Sequence, residues 1–157
     1  MDLVILDLNG VLCCTAHKRL YPGGELYRRK YLWRRPDTAA FLEWLFAHRR
    51  VAVWTSCEYQ NANALVDLLF TPEQRVQLLF FWTRAECKLG PNFASYKPLA
   101  RVWAAFPQYG AHNTRIVDDS PEKMVAPPEC IVTVPTFSPH TTTTLLSLFS
   151  ADCPESH

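Results

Sequence analysis

Leu3-Val4-Ile5-Leu6-Asp7-Leu8-Asn9-Gly10-Val11-Leu12 opens the chain with an apolar run, a carboxylate and a glycine turn. The apolar run predicts a strand that delivers Asp7 at its carboxyl end, where Gly10 lets the chain turn. A carboxylate held there, beside exposed backbone groups, can act as a nucleophile or a metal ligand. The bland alternative is a strand that ends in an Asn-Gly turn with no chemistry attached. The rest of the chain decides between them.

Three further stretches follow in an order that fits one site. Val51-Ala52-Val53-Trp54-Thr55-Ser56 is a second apolar run ending in hydroxyls, and Tyr96-Lys97-Pro98-Leu99 sets a lysine at the mouth of a helix. Arg115-Ile116-Val117-Asp118-Asp119-Ser120-Pro121 is a third run, ending in paired carboxylates. In a parallel sheet with helices between the strands, the carboxyl ends meet along one edge, and ligands bind there. Asp7, Thr55 and Asp118-Asp119 are therefore expected to converge, with Lys97 beside them.

The intervening pattern predicts an α/β fold. Residues 13 to 35 are rich in Tyr, Arg and Gly around a Pro22-Gly23-Gly24 turn and suggest a hairpin or flap. Pro36-Asp37-Thr38 offers a helix start, with Phe41, Leu42, Leu45 and Phe46 on one face. A second helix is expected from Asn63 to Phe70, stopping near Thr71-Pro72, then a strand from Gln77 to Thr83 and a small insertion at 84 to 95. Pro98 to Phe106 predicts a helix, with strands at 114 to 118 and 130 to 134 and a short threonine-capped helix near 145 to 149. Strand, helix, strand is the pattern of a right-handed crossover.

With 157 residues the chain is expected to form a single domain, 1 to 157. Neither the interval from Asn9 to Thr55 nor that from Thr55 to Lys97 has room for a large cap domain once a helix and a strand are subtracted. A formal charge of +1 and 20% charged residues give no global field that argues for nucleic acid or membrane binding. Six cysteines lack C-x-x-C or Cys/His ligand spacing and follow no secretory signal, which points to reduced thiols and an intracellular setting, nucleus or cytoplasm. The apolar runs fall short of the ~20 residues a membrane helix needs, so a soluble protein is expected.

On these motifs the chain resembles the haloacid dehalogenase superfamily, and within it the phosphatases related to those acting on the carboxy-terminal domain of RNA polymerase II, the NLI-interacting-factor-like branch. The likeness also includes Arg35-Pro36, Trp54-Thr55-Ser56, Phe81-Trp82-Thr83 with Cys87, Lys97-Pro98-Leu99 and Val117-Asp118-Asp119-Ser120-Pro121-Glu122-Lys123, over about residues 1 to 140. It implies a three-layer, Rossmann-like haloacid dehalogenase fold with a central parallel sheet, a small flap and no large cap. Superfamily members without a large cap tend to have open sites, which suit a phosphorylated protein or peptide. A monomer is expected.

The resemblance further implies that Asp7 attacks phosphorus to give an aspartyl phosphate. It implies that Mg²⁺ is held by the Asp7 carboxylate, the Asn9 backbone carbonyl and Asp119, with Asp118 an alternative ligand or a partner that orients Lys97. Oxygen-only ligands suit Mg²⁺. Thr55 and Lys97 would bind the phosphoryl group together with the Leu8–Gly10 backbone. Asn9 departs from the pattern: the family's usual aspartate there protonates the leaving alkoxide and activates water, and an amide does neither. That help is worth ~10²–10⁴-fold, roughly 3 to 5 kcal/mol of barrier. The expectation is a slowed Mg²⁺-dependent phosphoserine or phosphothreonine phosphatase, the alternative a silent phosphopeptide-binding module.

Other features carry less. Lys18, Arg19, Arg28, Arg29, Lys30, Arg34 and Arg35 make the flap basic, either to grip an acidic phosphopeptide or as a solvated hairpin whose arginines cover its aromatics. The histidines, His17, His48, His112, His140 and His157, lack ligand spacing. Ser56 and Cys57 are expected to pack, Ser120-Pro121 to turn and cap, and Trp82 and Trp103 to join the core.

Overall fold

The computed structural model describes residues 1–149. In chain order the elements are β1 (Leu3–Leu6), β2 (Cys13–Ala16), β3 (Glu25–Tyr27), β4 (Lys30–Arg34), α1 (Thr38–His48), β5 (Arg50–Trp54), α2 (Tyr59–Leu69), α3 (Pro72–Gln77), β6 (Phe81–Trp82), β7 (Lys88–Leu89), β8 (Ser95–Pro98), α4 (Leu99–Ala105), β9 (Thr114–Asp118), β10 (Met124–Val125), β11 (Ile131–Thr133) and α5 (Leu145–Phe149). The central sheet runs β11-β9-β1-β5-β6, and every pairing in it is parallel.

Alternation along these strands divides the core into two layers, one on each face of the sheet. Leu3, Ile5, Ala52, Trp54 and Ile116 pack with Leu99 and Val102 of α4. Val4, Leu6, Val51, Val53 and Val117 pack with Phe41, Leu42 and Leu45 of α1 and Leu65 and Val66 of α2. This is the α/β fold with a central parallel sheet that the sequence predicts.

The flap is a three-stranded antiparallel sheet, β2-β4-β3. Its β3–β4 turn places Arg28 and Arg29 at φ 43° and 66°, left-handed backbone that non-glycine residues rarely adopt. The basic run is not one free surface. Arg28 donates to Gln60 and Asn61, Arg34 pairs with Glu25, and Arg35 is buried.

Several boundaries differ from the sequence reading. The second helix begins at Tyr59 rather than Asn63, because Tyr59 and Gln60 are exposed and the small Ala62 is the one buried residue of its first turn, too little to show an apolar period. Thr71-Pro72 does end that helix, but it also starts another. The Thr71 hydroxyl accepts from Gln74 N–H while the Gln74 side chain accepts from Thr71 N–H, a capping box that carries the chain as α3 to Gln77. The strand expected from Gln77 therefore begins only at Phe81. The 84 to 95 insertion contains β7, which pairs antiparallel with β8, and β10 completes this small second sheet. In the tail, Asp37 accepts from the N–H groups of Leu145 and Leu146 at 2.6 and 3.1 Å, adding to the Thr144 contact with Ser147 at the start of α5.

Arg35 ties the flap to the body. Its guanidinium, 2% exposed, donates to the carbonyls of Val11, Thr143 and Pro135 at 2.7, 2.8 and 3.2 Å. Arg35→Ala strands those acceptors, at about 1–3 kcal/mol for each unsatisfied buried group. We expect a melting temperature lower by roughly 6–12 °C, the equivalent of about 3 kcal/mol for a domain of this size. A calorimetric shift of under about 2 °C would show that the clamp is dispensable.

Among the described residues Cys13, Cys14, Cys57, Cys87 and Cys130 are free, and no helix is long and apolar enough to cross a membrane. Cys153 and His157 lie outside the described residues.

Candidate active site

The order β9-β1-β5 decides which side chains meet. Asp7 follows β1 and extends its ladder by donating to the Val117 carbonyl, Thr55 follows β5 and donates to that of Trp82, and Asp118 ends β9. Asp7 thus stands between Asp118 and Thr55 on the carboxyl edge of the sheet, with Lys97 supplied from β8.

A cleft of about 180 Å³ is lined by Asp7, Asn9, Thr55, Lys97, Asp118 and Asp119. Sequence reasoning had Ser56 and Cys57 packing and Ser120 turning, yet all three also line the cleft, because they follow the strand ends directly. Lys123 lines it too and was not foreseen as a site residue. Its signal was present, since it lies in the turn that leaves the Asp118-Asp119 pair.

Hydrogen bonds fix the set. Leu8 N–H donates to Asp7 Oδ1 at 2.8 Å. Lys97 Nζ lies 2.6 Å from Asp118 Oδ2 and 3.5 Å from Asp7 Oδ2, with all three side chains buried. The other Asp118 oxygen accepts from Ser120 N–H at 3.0 Å, and Thr136 donates to Asp119 Oδ2 at 2.9 Å. Thr55 Oγ1 accepts from Cys57 N–H at 3.2 Å, leaving the hydroxyl proton free among the described residues. Asn9 is exposed at the mouth.

Gly10 acts through space. It holds φ +88°, and a Cβ there would lie 2.2 Å from Asp119 Oδ2, so only glycine admits the Asp119 carboxylate. Its N–H donates to the Cys13 carbonyl at 2.7 Å. The Leu8 N–H is thus engaged by Asp7 and the Gly10 N–H by Cys13.

Burial pushes the Asp7 carboxyl up to about 7, with Asp118 and Asp119 adding to the rise and Lys97 and the Leu8 N–H opposing it. Asp119 is also raised, by burial first and by Asp118, against the Thr136 hydrogen bond. Burial disfavours charge on Lys97, but Asp7 and Asp118 outweigh it and the net shift is upward. One oxygen from each of Asp7, Asp118 and Asp119 lies within 4.8 Å of the others. Three crowded carboxylates facing a single buried lysine form an oxygen-only donor set short of positive charge, which fits Mg²⁺.

This sets a pH dependence. Folded and metal-free, Asp7 keeps its proton to about 7 rather than the ordinary 3.8, so stability falls as pH rises through that window. A divalent cation needs the carboxylate ionised. The rise in melting temperature given by Mg²⁺ is therefore expected to grow from about pH 5 to about pH 7.5. An increment that stays flat over that range would contradict this electrostatic picture.

Comparison with known proteins identifies the family. The family model for NLI interacting factor-like phosphatases matches residues 2–151. An FCP1 homology domain-containing protein of Schizosaccharomyces pombe is 34% identical over 144 residues, covering 80% of this chain and 57% of that protein. Two solved structures of Fcp1, described as an essential RNA polymerase II CTD phosphatase, share the fold. One, a fission yeast variant bound to beryllium fluoride, aligns with TM-score 0.65 and the other with 0.66, each at 15% identity over 87% of this chain and 42% of theirs. The chain spans about half the length of these relatives. It carries the haloacid dehalogenase fold on the CTD phosphatase-like branch, and it belongs to the NLI interacting factor-like phosphatase family.

Proposed function

We propose that the cleft hydrolyses phosphoserine or phosphothreonine in protein substrates, with Mg²⁺ as cofactor and a phosphorylated Asp7 as intermediate. The observation that carries this is the meeting of Asp7, Lys97, Thr55 and the Asp118-Asp119 pair in one polar cleft.

In the first step an Asp7 oxygen attacks phosphorus, and the bond from phosphorus to the serine oxygen breaks with its electron pair on that oxygen. The Leu8 N–H fixes the carboxylate's rotation, and Lys97 offsets negative charge shared by Asp7 and the phosphoryl group. Thr55 donates its free hydroxyl proton to a phosphoryl oxygen. Mg²⁺, when held by Asp7, Asp119 and the Asn9 carbonyl, supplies charge compensation for the phosphoryl oxygens. The leaving alkoxide takes its proton from solvent, since the Asn9 amide has none to give. Water then attacks phosphorus, the bond to Asp7 breaks, and phosphate leaves.

The small flap and the absence of a cap among the described residues leave the mouth open to a polypeptide segment, in keeping with the protein substrate named for Fcp1. The free thiols accord with action in the nucleus or cytoplasm.

Asn9 itself favours a second reading, in which the same residues hold a phosphopeptide without hydrolysing it. Turnover of an aryl phosphate that requires Mg²⁺ and is abolished by chelation supports the enzyme. Phosphopeptide binding with no turnover of any ester supports the binding module.

A further inference from the structure

We propose that Lys123 is the residue that binds the second negative charge of the phosphoryl group, a role separate from that of Lys97; this rests on the phosphoryl-transfer reading of the cleft. The starting point is how Lys97 is spent. It is buried between two carboxylates, 2.6 Å from Asp118 and 3.5 Å from Asp7, and its charge serves to hold them together. An incoming phosphate monoester is largely a dianion near neutral pH. Once a divalent cation and Lys97 have balanced the three aspartates, one basic side chain of the cleft lining remains to meet that charge, and it is Lys123.

The structure leaves Lys123 available. Among the described residues it makes no ion pair with any carboxylate, and it is half-buried in the wall of the cleft. A lysine freed from a partner and partly shielded from water attracts an anion more strongly than one in bulk solvent.

Its backbone is also placed by the site itself. Asp118 takes Lys97 on one oxygen and Ser120 N–H on the other, and the Ser120 carbonyl accepts from Lys123 N–H at 3.0 Å. The next residue, Met124, is buried and in register with Lys97 across the β10–β8 pairing. One carboxylate therefore organises both lysines, the first shared between the aspartates and the phosphoryl group and the second for the phosphoryl group alone.

The test uses the intact chain and inorganic phosphate, titrated calorimetrically in saturating Mg²⁺. Wild type is expected to bind phosphate, and Lys123→Ala and Lys123→Gln to bind it about tenfold more weakly or worse, while Lys123→Arg recovers most of the affinity. Mg²⁺ affinity without phosphate is expected to be undiminished in all three variants, which a merely structural role for Lys123 would not give. Phosphate affinity in both neutral variants equal to that of wild type would overturn the role of Lys123 and leave the phosphatase reading standing. If wild type itself failed to bind phosphate with Mg²⁺ present, the phosphatase reading would fall, and the role of Lys123 with it.

Discussion

Asp7→Asn is expected to reduce Mg²⁺-dependent hydrolysis of an aryl phosphate by a factor on the order of 10⁴ or more, the scale of losing a covalent nucleophile. The substitution keeps the shape of the side chain and removes both the attacking oxygen's charge and one ligand of the proposed metal set. The protein should still fold, since Lys97 retains Asp118 at 2.6 Å. In fact the metal-free variant is expected to melt at or above the wild-type temperature near pH 7.5. Burial makes the charged Asp7 costly, as its pKa of about 7 shows, and asparagine carries no such charge. Lower activity with equal or greater stability is the mark of a functional carboxylate; a comparable loss of both would make Asp7 structural. Steady-state turnover and melting curves on the same preparations decide it.

Asn9→Asp should act in the opposite direction. Restoring an acid at the mouth of the cleft is expected to raise turnover of a phosphoserine peptide by about 10²–10⁴-fold. An aryl phosphate should gain far less, because its leaving group departs without a proton. The ratio between the two substrates separates proton transfer from any general improvement in binding. Equal gains on both, or no gain on the peptide, would mean that the missing acid does not limit the natural protein. The exposure of Asn9 suits this role, since the position faces the mouth rather than the packed interior.

Much of the fold and of the meeting of Asp7, Thr55 and Asp118 was legible because each of these three sits at the end of an apolar run. Asp7, Thr55 and Asp118 follow or close β1, β5 and β9, and sheet topology alone then brings them together. What escaped the sequence reading lacked an apolar period. The first turn of α2 buries a single small residue, Ala62, and β7 and β10 are two-residue strands without visible alternation. The α3 helix was missed for a different reason: Thr71-Pro72-Glu73-Gln74 carries both a stop signal and a capping box, and the proline drew attention to the first. The close approach of Gly10 to Asp119 was not legible, because the two are distant in sequence and meet only in three dimensions.

The central claim is that phosphoryl transfer passes through Asp7. Wild-type protein mixed with an aryl phosphate and Mg²⁺, quenched in acid and examined by peptide mass spectrometry, should carry one phosphoryl group on Asp7, and none when a chelator replaces the metal. The lack of an acid at Asn9 should favour its accumulation. Phosphoryl found on another residue, or turnover with Asp7 unmodified at every time sampled, would contradict the mechanism.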